Sequence, residues 1–235
     1  MKSTHLMRVL TVHPFAVVVG LLLAAAPGAQ VPATGRVSGH VKLSHVHGTP
    51  LPSNAYSPRS VGDLRASTTP EIANVVVYLK GVTYHGQLPT SRQQILQEHE
   101  AFLPRVVATT RGSTVEFPNR DSFFHNVFSL SGAATFDLGR YPQGQSRARQ
   151  LQKTGLVKVY CQIHSHMSAS ILVLDHPYFT VPDATGAFTL TGVPVGTYTI
   201  VGWHERVGER TGSIQVQADT TSSIDIALPV EDGDL

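Results

Sequence analysis

From Arg105 to Leu174 the chain breaks into short runs of apolar and β-branched residues: RVVATT, STVEFPN, HNVFSL, LVKVYC and ASILVL. Small turn-forming clusters separate them: RGS, NRDS, SGA and TG. Such runs are too short for a helix to bury a face, but extended backbone places their alternate side chains on one side. Several short strands at this spacing imply a sandwich or a barrel. Charged residues make up only 14% of the chain, while Gly, Thr, Ser, Val and Pro are plentiful, and both facts favour strands and turns.

The flanks read the same way. GRVSGHVKLSHVH, residues 35–47, alternates Val37, Val41 and Leu43 with polar neighbours and predicts a strand. Residues 48–70, rich in Pro, Ser, Thr and Gly, predict a long loop. NVVVYLKG, Asn74 to Gly81, predicts a β-branched strand, and Pro89 to Glu100 either one short helix or the start of a strand. Beyond Pro177, the alternation in Phe188-Thr189-Leu190 and Tyr198-Thr199-Ile200 marks half-buried strands, followed by GSIQVQA and SSIDIALPV. The acidic end EDGDL predicts a frayed tail.

The first residues predict where the protein acts. Lys2 and Arg8 precede an apolar run from about Phe15 to Ala26 that ends in AAAPGAQ, the three parts of a signal peptide over residues 1–29. The run is too short to span a bilayer, and no later segment is long and apolar enough. Without Lys2 and Arg8, the 18 basic residues become 16, against 16 acidic ones. The exported chain is formally neutral, which gives no reason to expect a nucleic-acid partner. The expectation is a soluble periplasmic or extracellular protein of one large β domain or two small ones.

Export sharpens the meaning of Cys161, the only cysteine. It cannot form a disulfide within its own chain. It forms an intermolecular bridge, is an inert buried thiol, or binds a metal as thiolate. His164 follows three positions later and Met167 three after that, in CQIHSHM. Two imidazoles, one thiolate and a distant thioether form a trigonal copper site. A second histidine is then required, and His125 in FFHNVFS, near the start of a strand, is the best candidate. His166 makes an H-x-H pair with His164 and is the alternative ligand.

These segments resemble the cupredoxins, the small blue-copper electron carriers. CQIHSHM resembles the Cys-x-x-His-x-x-Met loop of amicyanin-like members. FLPRVVATTRGSTVEFPNRDSFFHNVFS resembles the family's run of F-x-P, strand, Gly turn, V-x-F-x-N and His. The resemblance spans roughly residues 92–175. It implies a Greek-key β-sandwich holding one type 1 copper ion. His125, Cys161 and His164 would be the strong ligands and Met167 the weak axial one. Asn126 would tie the upstream ligand strand to the cysteine loop. Phe117, Phe123, Phe124 and Phe128 would keep the site dry. The loop lacks the proline frequent in the family, a departure that leaves a tetragonal or red geometry open beside the blue one.

The implied function is single-electron shuttling with an unidentified redox partner protein. No coordination position is open for substrate, so the expectation is no enzyme. Copper storage or delivery by the same ligands is an alternative. So is a metal-free interaction module with Cys161 merely buried, and a zinc site is chemically possible.

A second resemblance concerns the ends. DATGAFTLTGVPVGTYTIVGW is similar to the second half of a carboxypeptidase regulatory-like (transthyretin-like) sandwich, and GRVSGHVKL with IANVVVYLKG to its first half. It implies an all-β chain with halves at 35–87 and 177–230 and the cupredoxin unit at 88–176 inserted between them. The other arrangement has residues 35–80 adding strands to the cupredoxin.

Some residues fall outside both patterns. His40, His45 and His47 make either a weak second metal site or an exposed polar face. His176, Trp203 and His204 read as structural. Arg140, Arg147, Arg149, Lys153 and Lys158 cluster where no acid occurs between residues 138 and 158. They form a solvated face or steer an acidic redox partner.

Overall fold

Strand pairing divides the chain between two β-sandwiches. The computed structural model describes residues 33–46 and 70–231, so the signal-peptide reading, the 48–70 loop up to residue 69 and residues 232–235 lie outside the described residues. Two strands come first, β1 (Thr34–Val46) and β2 (Val75–Lys80), with a 3-10 turn at Glu71–Asn74. Next are β3 (Arg92–Gln94), β4 (Leu96–Glu98), β5 (Ala101–Leu103), β6 (Val106–Thr110) and β7 (Thr114–Pro118). They are followed by β8 (His125–Ser131), β9 (Ala134–Tyr141), β10 (Ser146–Gln150), β11 (Gly155–Tyr160) and β12 (Ser168–Leu174). The last six are β13 (Phe179–Thr180), β14 (Ala187–Pro194), β15 (Gly196–His204), β16 (Gly208–Val216), β17 (Thr221–Ser223) and β18 (Ile226–Glu231). The all-β class expected from the sequence is observed, with no α-helix among the described residues.

The central sandwich faces a five-stranded sheet, ordered β6-β12-β11-β8-β9, with a three-stranded one, β10-β7-β3. Val115 and Phe117 of β7, and Val157 and Val159 of β11, are fully buried between less buried neighbours, as a period of two requires. They share one core with Ile95, Val127, Tyr141 and Ile171. Residues 92–98 are extended, which excludes the helix alternative. Ile95 is buried and hydrogen-bonded to β7 through Glu116 O at 2.9 Å, while Arg92 and Gln94 reach Glu116 on the outer face. With so few apolar residues, this segment gains more from pairing beside β7 than from a helix without an apolar stripe.

The other sandwich takes strands from both ends of the described chain. One sheet is β13-β2-β15-β16, and the other joins β14, β1, β17 and β18 through β1. β2 pairs antiparallel with β15, placing Val76 opposite Trp203 and Leu79 opposite Ile200. The core holds Val37, Leu79, Phe188, Leu190, Ile200 and Leu228. A Cβ at Gly39 would lie 1.7 Å from Ile224 O, so only glycine lets β1 pass here.

The unbroken apolar run of β2 has a physical reason. Val75, Val77 and Leu79 face their own core, whereas Val76 and Tyr78 face Val106, Leu172 and Leu174 of the central sandwich. A strand covered on both faces has no polar side to alternate. At this seam the largely buried Glu205 binds Arg105 at 2.6 Å, Lys158 at 3.2 Å and Ser170 Oγ at 3.2 Å.

Candidate metal centre

His125 opens β8 opposite Tyr141 of β9 and is fully buried. Cys161 follows β11, Met167 precedes β12, and the two strands pair up to Tyr160 and Ser168. The intervening loop therefore closes a hairpin. Cys161 N donates to Met167 O at 3.3 Å, and Met167 N to His164 O at 3.0 Å.

Three donor atoms converge. Cys161 Sγ lies 3.8 Å from His125 Nδ1 and 3.9 Å from His164 Nδ1, and the two nitrogens are 3.0 Å apart. A point equidistant from all three is about 2.1 Å from each, close to the 2.0–2.3 Å of metal–imidazole and metal–thiolate bonds. The triangle thus has the size and donor chemistry of a three-ligand N, N, S site.

Asp121 determines which nitrogen of His125 faces this point. Its Oδ2 is 2.8 Å from His125 Nε2. An ionised carboxylate only accepts, so Nε2 carries the proton and the Nδ1 lone pair points at the triangle. Burial pushes the Asp121 carboxyl upward, but the Glu100 amide, His125 and the His99 amide outweigh it and hold it below the usual range. Those amides, 2.7 Å from Oδ1 (His99) and 3.0 Å from Oδ2 (Glu100), belong to the β4–β5 turn, where both residues have positive φ.

Asn126 is buried beside His125. Its Oδ1 accepts from Gln162 N at 2.7 Å and lies 3.6 Å from Cys161 Sγ. β8 and the cysteine loop are thereby joined. Met167 is buried in the same core as Cys161. His164 is half-buried. Burial, then His125, lowers its pKa and favours the neutral ring that a metal needs. His166 lies outside the triangle: its side chain is 48% exposed, and Nε2 is 3.5 Å from Glu100 Oε2.

The phenylalanines divide. Phe117 is in the core, and Phe123 packs 5.1 Å from the His125 ring and 5.3 Å from His164. Phe124 instead projects into solvent at 54% exposure, and Phe128 packs against Tyr160 away from the donor atoms. Phe123, itself 38% exposed, is thus the phenylalanine that packs against both imidazoles. His204 is buried against Glu71 at 2.9 Å, and His176 Nδ1 accepts from Tyr178 N. His40 is exposed on β1, only the backbone of His45 is described, and His47 lies outside the described residues.

Sequence reasoning missed Asp121, Gln97 and Tyr141. Gln97 Nε2 donates to Tyr141 Oη at 2.6 Å, and Tyr141 Oη donates to Phe117 O at 2.8 Å. The only advance signal for Asp121 was its position four residues before His125 in DSFFH.

No family model matches the chain, and no curated protein matches it. Solved structures do. An amicyanin mutant with Cu(I) aligns at TM-score 0.34 and 17% identity, covering 35% of this chain and 82% of that one. A purple cupredoxin from Nitrosopumilus maritimus aligns at 0.32 and 21%, covering 35% and 99%. A copper-containing nitrite reductase from Thermus scotoductus SA-01 aligns at 0.33 and 25%, covering 40% of this chain and 24% of that one.

Proposed function

We propose that the chain is an exported single-copper protein of cupredoxin type that carries one electron at a time. The triangle of His125, Cys161 and His164, sized for one ion, supports this reading most directly. Copper there would supply a one-electron couple. Cys161 provides a thiolate away from water, and His125 and His164 provide neutral nitrogens. Met167, at the end of the same loop, would add its thioether as a weaker fourth donor. Asp121 fixes the His125 tautomer, and Asn126 holds the cysteine loop against β8. Ligands held by strands and buried bonds move little when the charge changes, which suits electron transfer. We assign residues 88–176 to this unit, carried within a regulatory-like sandwich built from 35–87 and 177–230.

The test is the visible and EPR spectrum of the full chain with one equivalent of Cu(II), beside Cys161→Ser. An intense thiolate-to-copper band with narrow copper hyperfine splitting, absent from the variant, is the expected result. A red or tetragonal spectrum retains copper and changes the geometry. No charge-transfer band in the unmodified chain sinks the reading.

A further inference from the structure

β9 and β10 are the terminal strands of the two central sheets, and they meet along one side of the sandwich. Arg140, Arg147 and Arg149 lie on them, and Lys153 just beyond. Lys42, Lys80, Arg92, Arg105, Arg120 and Lys158 each lie within ion-pair reach of a carboxylate. Among the described residues these four cations have none, and neither do Arg36, Arg111 and Arg210, but only these four fall on one continuous stretch of chain, residues 140–153. The neighbouring acids are engaged elsewhere: Glu116 binds Arg92 and Gln94, and Asp137 accepts the Gly139 amide at 2.8 Å.

Two of the arginines are also held in place. The Arg147 guanidinium lies 5.2 Å from the centre of the Tyr141 ring and donates to Leu138 O and Arg140 O. Arg149 lies 5.7 Å from the Phe136 ring. Guanidinium groups stacked on rings keep their charge in solvent and lose less freedom when a carboxylate binds. The ridge starts beside the metal centre, since Arg140 is paired with Asn126 and Tyr141 with His125.

We propose that this ridge docks an acidic protein surface, that of the partner exchanging electrons with the metal centre. The choice of a protein rests on the copper reading: electron exchange needs a second redox centre close by, which a lipid surface or a nucleic acid lacks.

The experiment compares reduced horse cytochrome c in its native basic form with the same protein succinylated and therefore acidic. Each reduces the Cu(II)-loaded full chain in a stopped-flow instrument at low and high salt. The acidic form is expected to react about tenfold faster at low ionic strength, and salt should remove the difference. Arg147→Glu/Arg149→Glu should reverse the preference. So should Arg140→Glu/Lys153→Glu, which leaves the stacked rings covered. Equal rates and salt slopes for the two forms, or variants that keep the preference, overturn the proposal.

Amide NMR shifts of the metal-free full chain with oxidised succinylated cytochrome c test docking without copper. Shifts confined to residues 138–153 are expected. If they appear while no thiolate–copper band forms, docking stands and the copper reading falls. A band without shifts leaves copper and overturns docking. Shifts produced there by phosphatidylglycerol vesicles and not by the acidic cytochrome overturn it in favour of lipid.

Discussion

The two sandwiches fill their interiors with different chemistry. Around Leu79 and Ile200 the interior is mostly aliphatic and aromatic, and the buried polar residues beside it among the described residues are three, Asn74, His176 and His204. The central sandwich buries Gln97, Asn119, His125, Asn126 and Ser129 alongside Val127 and Phe117. Burying such groups costs stability unless each is bonded. Here the bonds run to loops at the metal end. Asn119 Nδ2 donates to Phe123 O and Tyr141 O, Asn126 accepts from Gln162, and His125 donates to Asp121. Apolar area holds strands together without direction. Directional bonds fix loops, so the polar interior is where a ligand geometry can be set.

That contrast can be broken by mutation. Leu79→Ala removes a fully buried side chain from the apolar interior and is expected to cost about 2–5 kcal/mol of unfolding free energy in a denaturant titration. The copper spectrum of the folded variant should not move, and a changed spectrum would mean that the two interiors are not separable. Asp121→Asn should do the reverse. Copper affinity, read by chelator competition, is expected to fall about 10–100-fold, with a smaller loss of stability. Unchanged affinity would remove Asp121 from the centre.

The smallest effect concerns acid. The Glu209 carboxyl is held below its usual range because Lys80 and Tyr78 donate to it, at 2.7 Å each. A depressed carboxyl contributes stability above its unfolded pKa, and that contribution fades as pH falls through the folded value. Glu209→Gln should therefore lower stability at pH 7 by about 0.5 kcal/mol, limited by solvent screening, and flatten the acid limb below about pH 4.5. A pH titration of unfolding checks this, and the spectrum should not respond.

What the sequence disclosed follows the same division. Strands such as β7 and β11 were legible because Val115, Phe117, Val157 and Val159 alternate with polar neighbours. That Cys161 and His164 share a loop follows from a spacing of three. β9 and β10 were not legible: Ser146–Gln150 has no apolar side, being a fully exposed edge held by pairing with β7. Asp121 was hidden because its partners include a turn more than twenty residues earlier. The buried Gln97 was hidden because the partner of its Nε2, Tyr141, is 44 positions away, and its Oε1 has no hydrogen-bond partner at all among the described residues. Periodicity reports which side of a strand is dry, but not which distant atom completes a hydrogen bond.

Cys161 is the only thiol in the chain and is 4% exposed in the closed hairpin loop. A thiol reagent added to the metal-free protein has one target and reaches it only when that loop opens. At high reagent concentration the labelling rate becomes the opening rate itself. The protein thus contains a clock for its own local unfolding, started by adding reagent and stopped by a bound metal.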